Sequence, residues 1–195
     1  MSEDKIGNIF QFVSKDNPCA ISEISKIIYN LLQRPIIEEK RELIFICVGT
    51  DEFISDSFAP LVGLKLDESS FKSYHVYGTL FELVDAQNLK STINQILSDF
   101  TNPFIVAIDS CSGPEELCNQ ICIVNGPLKP GSVGFNKLPS IGDISIMGMV
   151  FLPAYLQMES KFVHLSDVYS MAEIISKSII LSTEELFQEK DKPLK

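Results

Sequence analysis

The chain has 195 residues, of which 45% are hydrophobic and 22% charged, and this composition is typical of one compact domain. It excludes disordered and coiled-coil proteins. The 26 acidic residues outnumber the 16 basic ones, so the net charge is -10. Because an acidic protein repels nucleic-acid phosphates and anionic lipids, neither nucleic acid nor a membrane is expected as a partner.

Cysteine content and the amino terminus indicate the compartment. Five cysteines, an odd number in a chain of this length, favour a reducing cytosol over a disulfide framework. The amino terminus lacks the basic region and apolar stretch of a signal peptide. No apolar run approaches the ~20 residues of a membrane-spanning helix. We therefore expect a cytoplasmic protein.

Residues 1–40 are predicted to be an N-terminal helical extension. Asn17 and Pro18 form a typical helix start, and the helix should end before Pro35. Its apolar residues recur at helical spacing: Ile21, Ile24, Ile28 and Leu31. An α/β domain is expected over residues 41–183, followed by a charged and frayed tail over residues 184–195.

Strand and helix patterns alternate through the first half of this domain. Residues 43–48 form an uninterrupted apolar run, typical of a strand buried on both faces. Further strands are predicted at 74–77 and 104–108, with helices at 57–66 and after Asn88. The alternation predicts the α/β class, with three α/β/α layers around a mainly parallel twisted sheet.

Glycine and proline residues punctuate the chain after Asp109, which predicts a β-rich excursion. A last strand is predicted at 161–165, and Ser166 and Asp167 are expected to cap a closing helix. One face of this helix is apolar: Val168, Met171, Ala172, Ile175 and Ile179.

Aspartates stand at two places where open α/β sheets bind their ligands. Asp51 and Asp56 lie in the loop after the first predicted strand, and Asp109 ends the third. The simplest winding (second strand, first, third) brings these loops together at the carboxyl edge of the sheet. The carboxyl groups of Asp56 and Asp109 should then lie within ~8 Å, close enough to share a water. Repulsion between two close carboxylates would raise one pKa and leave the acid and base that hydrolysis requires.

Two alternatives to a catalytic aspartate pair remain open. In the first, both aspartates have local roles: Asp56 stands where a helix cap would, and Asp109 is able to accept hydrogen bonds from local amides. In the second, Cys111 with His75 or His164 is the nucleophile pair, although both histidines lie within strand-like segments.

The sequence gives little support for a nucleotide-binding site or a metal site. Gly49–Phe53 lacks the glycines and the lysine of a phosphate-binding loop. Cys118 and Cys122 have three residues between them, which does not match a zinc knuckle, and the chain has 2 histidines. We expect no cofactor and no metal.

Six motifs, in the same order, resemble those of the YyaC-type sporulation proteins. They are Cys47–Asp51, Asp56–Gly63, Tyr77–Leu80, Ala107–Ser110, Gly126–Gly131 and Gly142–Ile146, and the resemblance extends from Leu43 to Leu181. That family is similar to the germination protease of spores and, more distantly, to the hydrogenase maturation endopeptidases. The resemblance implies an α/β/α peptidase fold, a sporulating member of the Firmicutes as source, and the cytoplasm or the spore core as location.

The resemblance also implies which residues act. In the maturation endopeptidases two carboxylates and a histidine hold a metal ion. The carboxylate positions match Asp56 and Asp109, whereas the histidine position falls near Ser145, and oxygen ligands alone bind nickel or zinc poorly. Asp85 also stands where a histidine is expected in relatives.

These observations predict a sporulation-associated peptidase in which Asp56 and Asp109 hydrolyse a peptide bond in a protein substrate. The alternative is a catalytically inactive, peptidase-like binding or regulatory protein of sporulation. A metal-dependent endopeptidase that matures a partner enzyme ranks third.

Overall fold

The computed structural model describes residues 10–71, 73–130, 138–151 and 163–190. In these residues a six-stranded sheet is flanked by helices on both faces. The strands are β1 (Phe10–Ser14), β2 (Glu42–Cys47), β3 (His75–Tyr77), β4 (Pro103–Ser112), β5 (Gln120–Val124) and β6 (Ile144–Phe151). The helices are α1 (Ala20–Gln33), α2 (Phe58–Asp67), α3 (Leu89–Asp99) and α4 (Leu165–Lys190).

The strand order is β1-β5-β6-β4-β2-β3. The winding expected for the three predicted strands is confirmed, since β2 lies between β3 and β4 and is parallel to both. β5 runs antiparallel to both its neighbours, so the sheet formed by the described residues is mixed, with three parallel and two antiparallel strand pairings. The reason is the connection between β4 and β5, residues 113–119, which is too short for the crossover that parallel strands need.

The core lies on both faces of the sheet, as the apolar run in β2 predicts. Side chains alternate along a strand. Phe45 and Cys47 pack with α1, α2 and α4, while Ile44 and Ile46 pack with α3. All four are fully buried. The α/β class and its three layers follow directly from this double burial.

Two glycines let α2 lie close against the ends of β2 and β3. A Cβ at Gly63 would lie 2.0 Å from the carbonyl oxygen of Gly78. Gly78 has φ +90°, and a Cβ there would lie 2.0 Å from the carbonyl oxygen of Cys47. Side chains at these positions would push α2, and the loop that precedes it, away from the sheet.

The N-terminal segment contributes to the sheet and to the core. β1 pairs with β5, and Ile24, Ile28 and Leu32 of α1 are fully buried in the same core as α4. The side chain of Asn17 accepts a hydrogen bond from the backbone N–H of Cys19 at 2.9 Å, just before α1 begins.

The end of the chain differs from the sequence prediction in two ways. Residues 161–162 of the predicted last strand lie outside the described residues, 163–164 are not in a strand, and Leu165 begins α4. The strand that completes the parallel group is instead β6, beside β4.

Helix α4 continues to Lys190, through most of the segment predicted as a frayed tail. Its later turns are held by tertiary contacts, because Leu186 is fully buried and the Phe187 ring lies 5.8 Å from that of Phe71. The apolar face predicted for its first half is confirmed as buried: Val168, Met171, Ala172, Ile175 and Ile179. Among the described helices, none has the length and apolar character needed to span a membrane.

Candidate functional site

Asp56 and Asp109 lie at the carboxyl edge, the edge of the sheet at which β2, β3 and β4 end. Neighbouring strands β2 and β4 are in register there, with Cys47 opposite Ile108. Ser110 contacts both carboxylates. Its hydroxyl donates to Oδ1 of Asp56 at 3.2 Å, and its backbone N–H donates to Oδ1 of Asp109 at 2.8 Å. The carboxyl groups therefore flank one residue of β4.

Asp56 is held by a tightly closed loop. The backbone N–H of Thr50 donates to the carbonyl oxygen of Asp56 at 3.3 Å, and the N–H of Asp56 donates to the carbonyl of Phe53 at 3.0 Å. A Cβ at Gly49 would lie 2.2 Å from the carbonyl oxygen of Asp56. The loop closes this tightly because residue 49 is a glycine.

The hydrogen bonds of Asp56 differ from those of a helix cap. Its Oδ1 accepts from the hydroxyls of Ser55, at 3.3 Å, and Ser110. Helix α2 and the 3₁₀ turn before it, Ser55–Ser57, both begin without a side-chain cap bond. The local role suggested for Asp109, accepting a nearby amide, is observed in its bond from Ser110.

Burial raises the pKa of Asp109 from 3.8 to about 7, the Ser110 N–H opposes this rise, and the charge of Asp56 adds to it. The direction agrees with the expectation for two close carboxylates. The principal cause is desolvation, however, and repulsion contributes less. Near neutral pH, the Asp109 carboxyl therefore exists in both protonation states.

Ser110 is the residue that sequence reasoning did not select for the site. Alternation along β4 directs Asp109 to the face covered by α3 and Ser110 to the face covered by α2. The sequence signal that points to Ser110 is a hydroxyl side chain directly after Asp109, near the end of a buried strand. Its partner Asp56 is 54 residues away in the chain, which the pattern alone does not reveal.

The alternative nucleophile, Cys111, has a different environment. Its thiol donates to the carbonyl of Ser112 at 3.2 Å. Burial and the charge of Asp109 raise the pKa of this thiol, which disfavours the reactive thiolate. His75 lies in β3 with its ring 4.6 Å from that of Phe100, in an open depression at the amino edge of the sheet. Exposed His164 directly precedes α4.

Ser145 and Asp85, the two positions where the motif resemblance implies a histidine, have structural partners. The hydroxyl of Ser145, buried in β6, donates to the carbonyl of Gly126 at 3.1 Å. Asp85 accepts the backbone N–H groups of Gln87 and Asn88 just before α3. In the part of the chain that the structure describes, no three His, Cys, Asp or Glu side chains are grouped to hold a metal. This donor set does not fit the metal site of the maturation endopeptidases.

Comparisons with known proteins agree with the motifs. A family model described as "Protein of unknown function (DUF1256)" matches residues 12–178. The chain is also similar to "Uncharacterized protein YyaC" of Bacillus subtilis (strain 168), with 34% identity over 186 residues, 94% of this chain and 89% of that protein. The resemblance to YyaC-type proteins is thereby confirmed. Its predicted start at Leu43 is wrong, because the match includes most of the N-terminal segment.

Proposed function

The chain belongs to the DUF1256 family, and we propose that this YyaC-type protein is a sporulation-associated peptidase that uses Asp56 and Asp109 to hydrolyse a peptide bond in a protein substrate. The observation that carries the proposal is the pair of carboxylates on either side of Ser110, one of them with a pKa of about 7. Perturbed carboxyl groups grouped at a strand end are typical of acid–base sites.

In the proposed reaction Asp109 is the acid and Asp56 the base. Asp56 takes a proton from a water molecule, whose oxygen bonds to the peptide carbonyl carbon. Asp109, protonated below its pKa of about 7, transfers its proton to the peptide nitrogen as the carbon–nitrogen bond breaks. The products are a carboxylic acid and an amine, and the proton held by Asp56 returns Asp109 to its starting state.

Ser110 acts in this scheme as a positioning residue. Its hydroxyl and its backbone N–H each hold one oxygen of a different carboxyl group. Because these bonds fix the separation of acid and base, a water and a peptide group bind between groups that are already oriented.

The fold and the motif resemblance support the peptidase assignment in different ways. Both carboxylates lie at the carboxyl edge, where the winding reverses between β2 and β4. Ligand sites in open α/β sheets are generally found at this position. We further propose, from the motifs, an α/β/α architecture akin to the maturation endopeptidases and a role in the cytoplasm of the sporulating cell or in the spore core.

The direct test is cleavage of proteins extracted from spore cores, with new peptide termini mapped by mass spectrometry. Asp56→Asn and Asp109→Asn should each lower the cleavage rate by ~10²- to 10⁴-fold. A matched control is Asp99→Asn, since Asp99 is exposed at the end of α3, near the amino edge of the sheet. Equal cleavage by all three variants would remove both aspartates from the mechanism.

The binding-protein alternative gives a distinct result in the same experiment. A protein that retains the cleft without the chemistry would yield no new termini while still retaining particular polypeptides. Wild-type protein without cleavage, at any pH from about 5 to 8, would therefore refute hydrolysis by this pair.

A further inference from the structure

Two loops at the carboxyl edge expose aromatic side chains. Phe53, in the loop before Asp56, is 61% exposed, and Phe81, in the loop after β3, is 84% exposed. The loops are joined, because the backbone N–H of Gly49 donates to the carbonyl of Val84 at 2.8 Å. Two large apolar rings therefore stand in water on adjacent loops around the candidate site.

Hydrogen bonds to the backbone order both loops at the residues that carry these rings. The hydroxyl of Thr79 accepts the backbone N–H groups of Phe81 and Glu82, and the Thr79 N–H donates to the carbonyl of Glu82. The carbonyl of Phe53 accepts two backbone N–H groups, those of Asp56 and Ser57. A surface ordered in this way loses little conformational entropy when a partner binds.

The two loops that carry the rings have charged side chains of one sign. Residues 49–56 and 78–88 contain no Lys, Arg or His. They carry five acidic residues: Asp51, Glu52, Asp56, Glu82 and Asp85. Such a surface attracts cations and repels acidic polypeptides, including other copies of this chain, whose net charge is -10.

We propose that Glu52, Phe53, Phe81 and Glu82 form an acidic-aromatic rim that binds the substrate of the proposed peptidase, a polypeptide segment in which Lys or Arg alternates with large apolar side chains. Calling this segment a substrate rests on the proposed function, whereas the binding itself does not depend on hydrolysis. The aromatic rings cover the apolar side chains, and the two glutamates face the cations.

Fluorescence anisotropy with three synthetic peptides tests the proposal. In the first, Leu and Phe alternate with Lys and Arg; the second has Glu at each basic position, and the third has Ser at each apolar position. All are titrated with full-length Asp109→Asn protein, so that hydrolysis does not consume the probe. We expect the first peptide to bind at least tenfold more tightly than the others, and its affinity to fall with added salt.

Variants of the rim and of exposed residues elsewhere provide the controls. Two double variants of the rim should each weaken binding of the first peptide at least fivefold: Phe53→Ser/Phe81→Ser and Glu52→Gln/Glu82→Gln. Matched changes elsewhere, at residues that are also exposed, should alter its affinity less than twofold: Leu97→Ser/Leu181→Ser and Glu38→Gln/Glu68→Gln. Equal losses in the rim and control variants, or equal binding of the acidic peptide, would overturn the proposal.

Two further outcomes separate this inference from the proposed function. Binding as expected, with no cleavage of the first peptide by wild-type protein, supports the rim and refutes hydrolysis. Cleavage of the acidic and basic peptides with the same kcat/KM supports hydrolysis and refutes the rim. A dimer in sedimentation that Phe53→Ser/Phe81→Ser dissociates would assign the rings to a second copy and also refute the proposal.

Discussion

At the scale of the residue, the proton on Asp109 decides what the site is able to do. Its carboxyl group is half-buried at the end of β4, and burial raises its pKa to about 7. The unfolded chain has no such environment, so there the group titrates near 3.8. The same desolvation therefore affects stability and reactivity, and each gives a measurable pH dependence.

Stability should depend on Asp109 between about pH 4 and pH 7. The folded protein retains this proton as pH rises, whereas the unfolded chain releases it, so the free energy of unfolding falls until pH exceeds about 7. Asp109→Asn lacks this titration. We expect it to be more stable than wild type at pH 8 by about 1–3 kcal/mol, and by much less at pH 4.5, in urea unfolding. The same stability difference at both pH values would contradict this origin of the effect.

The pH dependence of activity should report the same titration of Asp109. If protonated Asp109 is the acid, kcat/KM falls about tenfold per pH unit above pH 7. A profile from about pH 5.5 to 9 measures this, and the residual activity of Asp109→Asn should lack that alkaline decline. A wild-type rate that stays constant over the whole range would show that Asp109 does not supply the proton.

At the scale of the element, close packing of backbone positions the loop that carries Asp56. Gly49 contacts the carbonyl of Asp56, and Gly63 of α2 contacts the carbonyl of Gly78. The closed loop and α2 thus form one unit against the ends of β2 and β3. The geometry of the carboxyl edge depends on these approaches more than on any helix cap.

Gly49→Ala should damage the site without unfolding the domain. Its Cβ would lie 2.2 Å from the carbonyl oxygen of Asp56, so the loop has to move. We expect a loss of about 1–3 kcal/mol in stability and at least a tenfold loss of cleavage. Gly113→Ala is the control, because the closest neighbour of its Cβ would be the flexible end of Met149, at 2.4 Å. Equal effects of both substitutions would argue against a special requirement at Gly49.

At the scale of the molecule, the two ends of the chain complete the domain. β1 lies at one edge of the sheet beside β5, and α1 packs in one core with α4. The last turns of α4 add Leu186 to this core and Phe187 beside Phe71. The terminal segments therefore bury apolar side chains that the central strands and helices cannot cover alone.

Two identical substitutions in α4 test whether residues after 184 stabilise the whole domain. Leu186 is fully buried, so Leu186→Ala should cost about 2–5 kcal/mol in urea unfolding. Leu181 is 46% exposed in the same helix, and Leu181→Ala should cost less than about 1 kcal/mol. If the two variants unfold at the same urea concentration, the end of α4 is not part of the cooperative core.

The sequence by itself determined the α/β class, the winding of β2, β3 and β4, the position of Asp109 near a strand end and that of Asp56 in the loop after β2. These features depend on local periodicity: an apolar run such as 43–48 is buried on both faces in any parallel sheet. The sequence alone did not distinguish a helix-cap role for Asp56 from a role in a site shared with Asp109, because an aspartate is suited to both.

Only the tertiary structure decided the antiparallel pairing of β5, the helical continuation to Lys190 and the contact between Ser110 and Asp56. A strand pattern does not specify the direction of its partner, and a charged segment becomes an ordered helix when a few of its side chains find a core. The pKa of Asp109 belongs to the same group, because desolvation depends on which atoms replace water around the carboxyl, and those atoms come from distant parts of the chain.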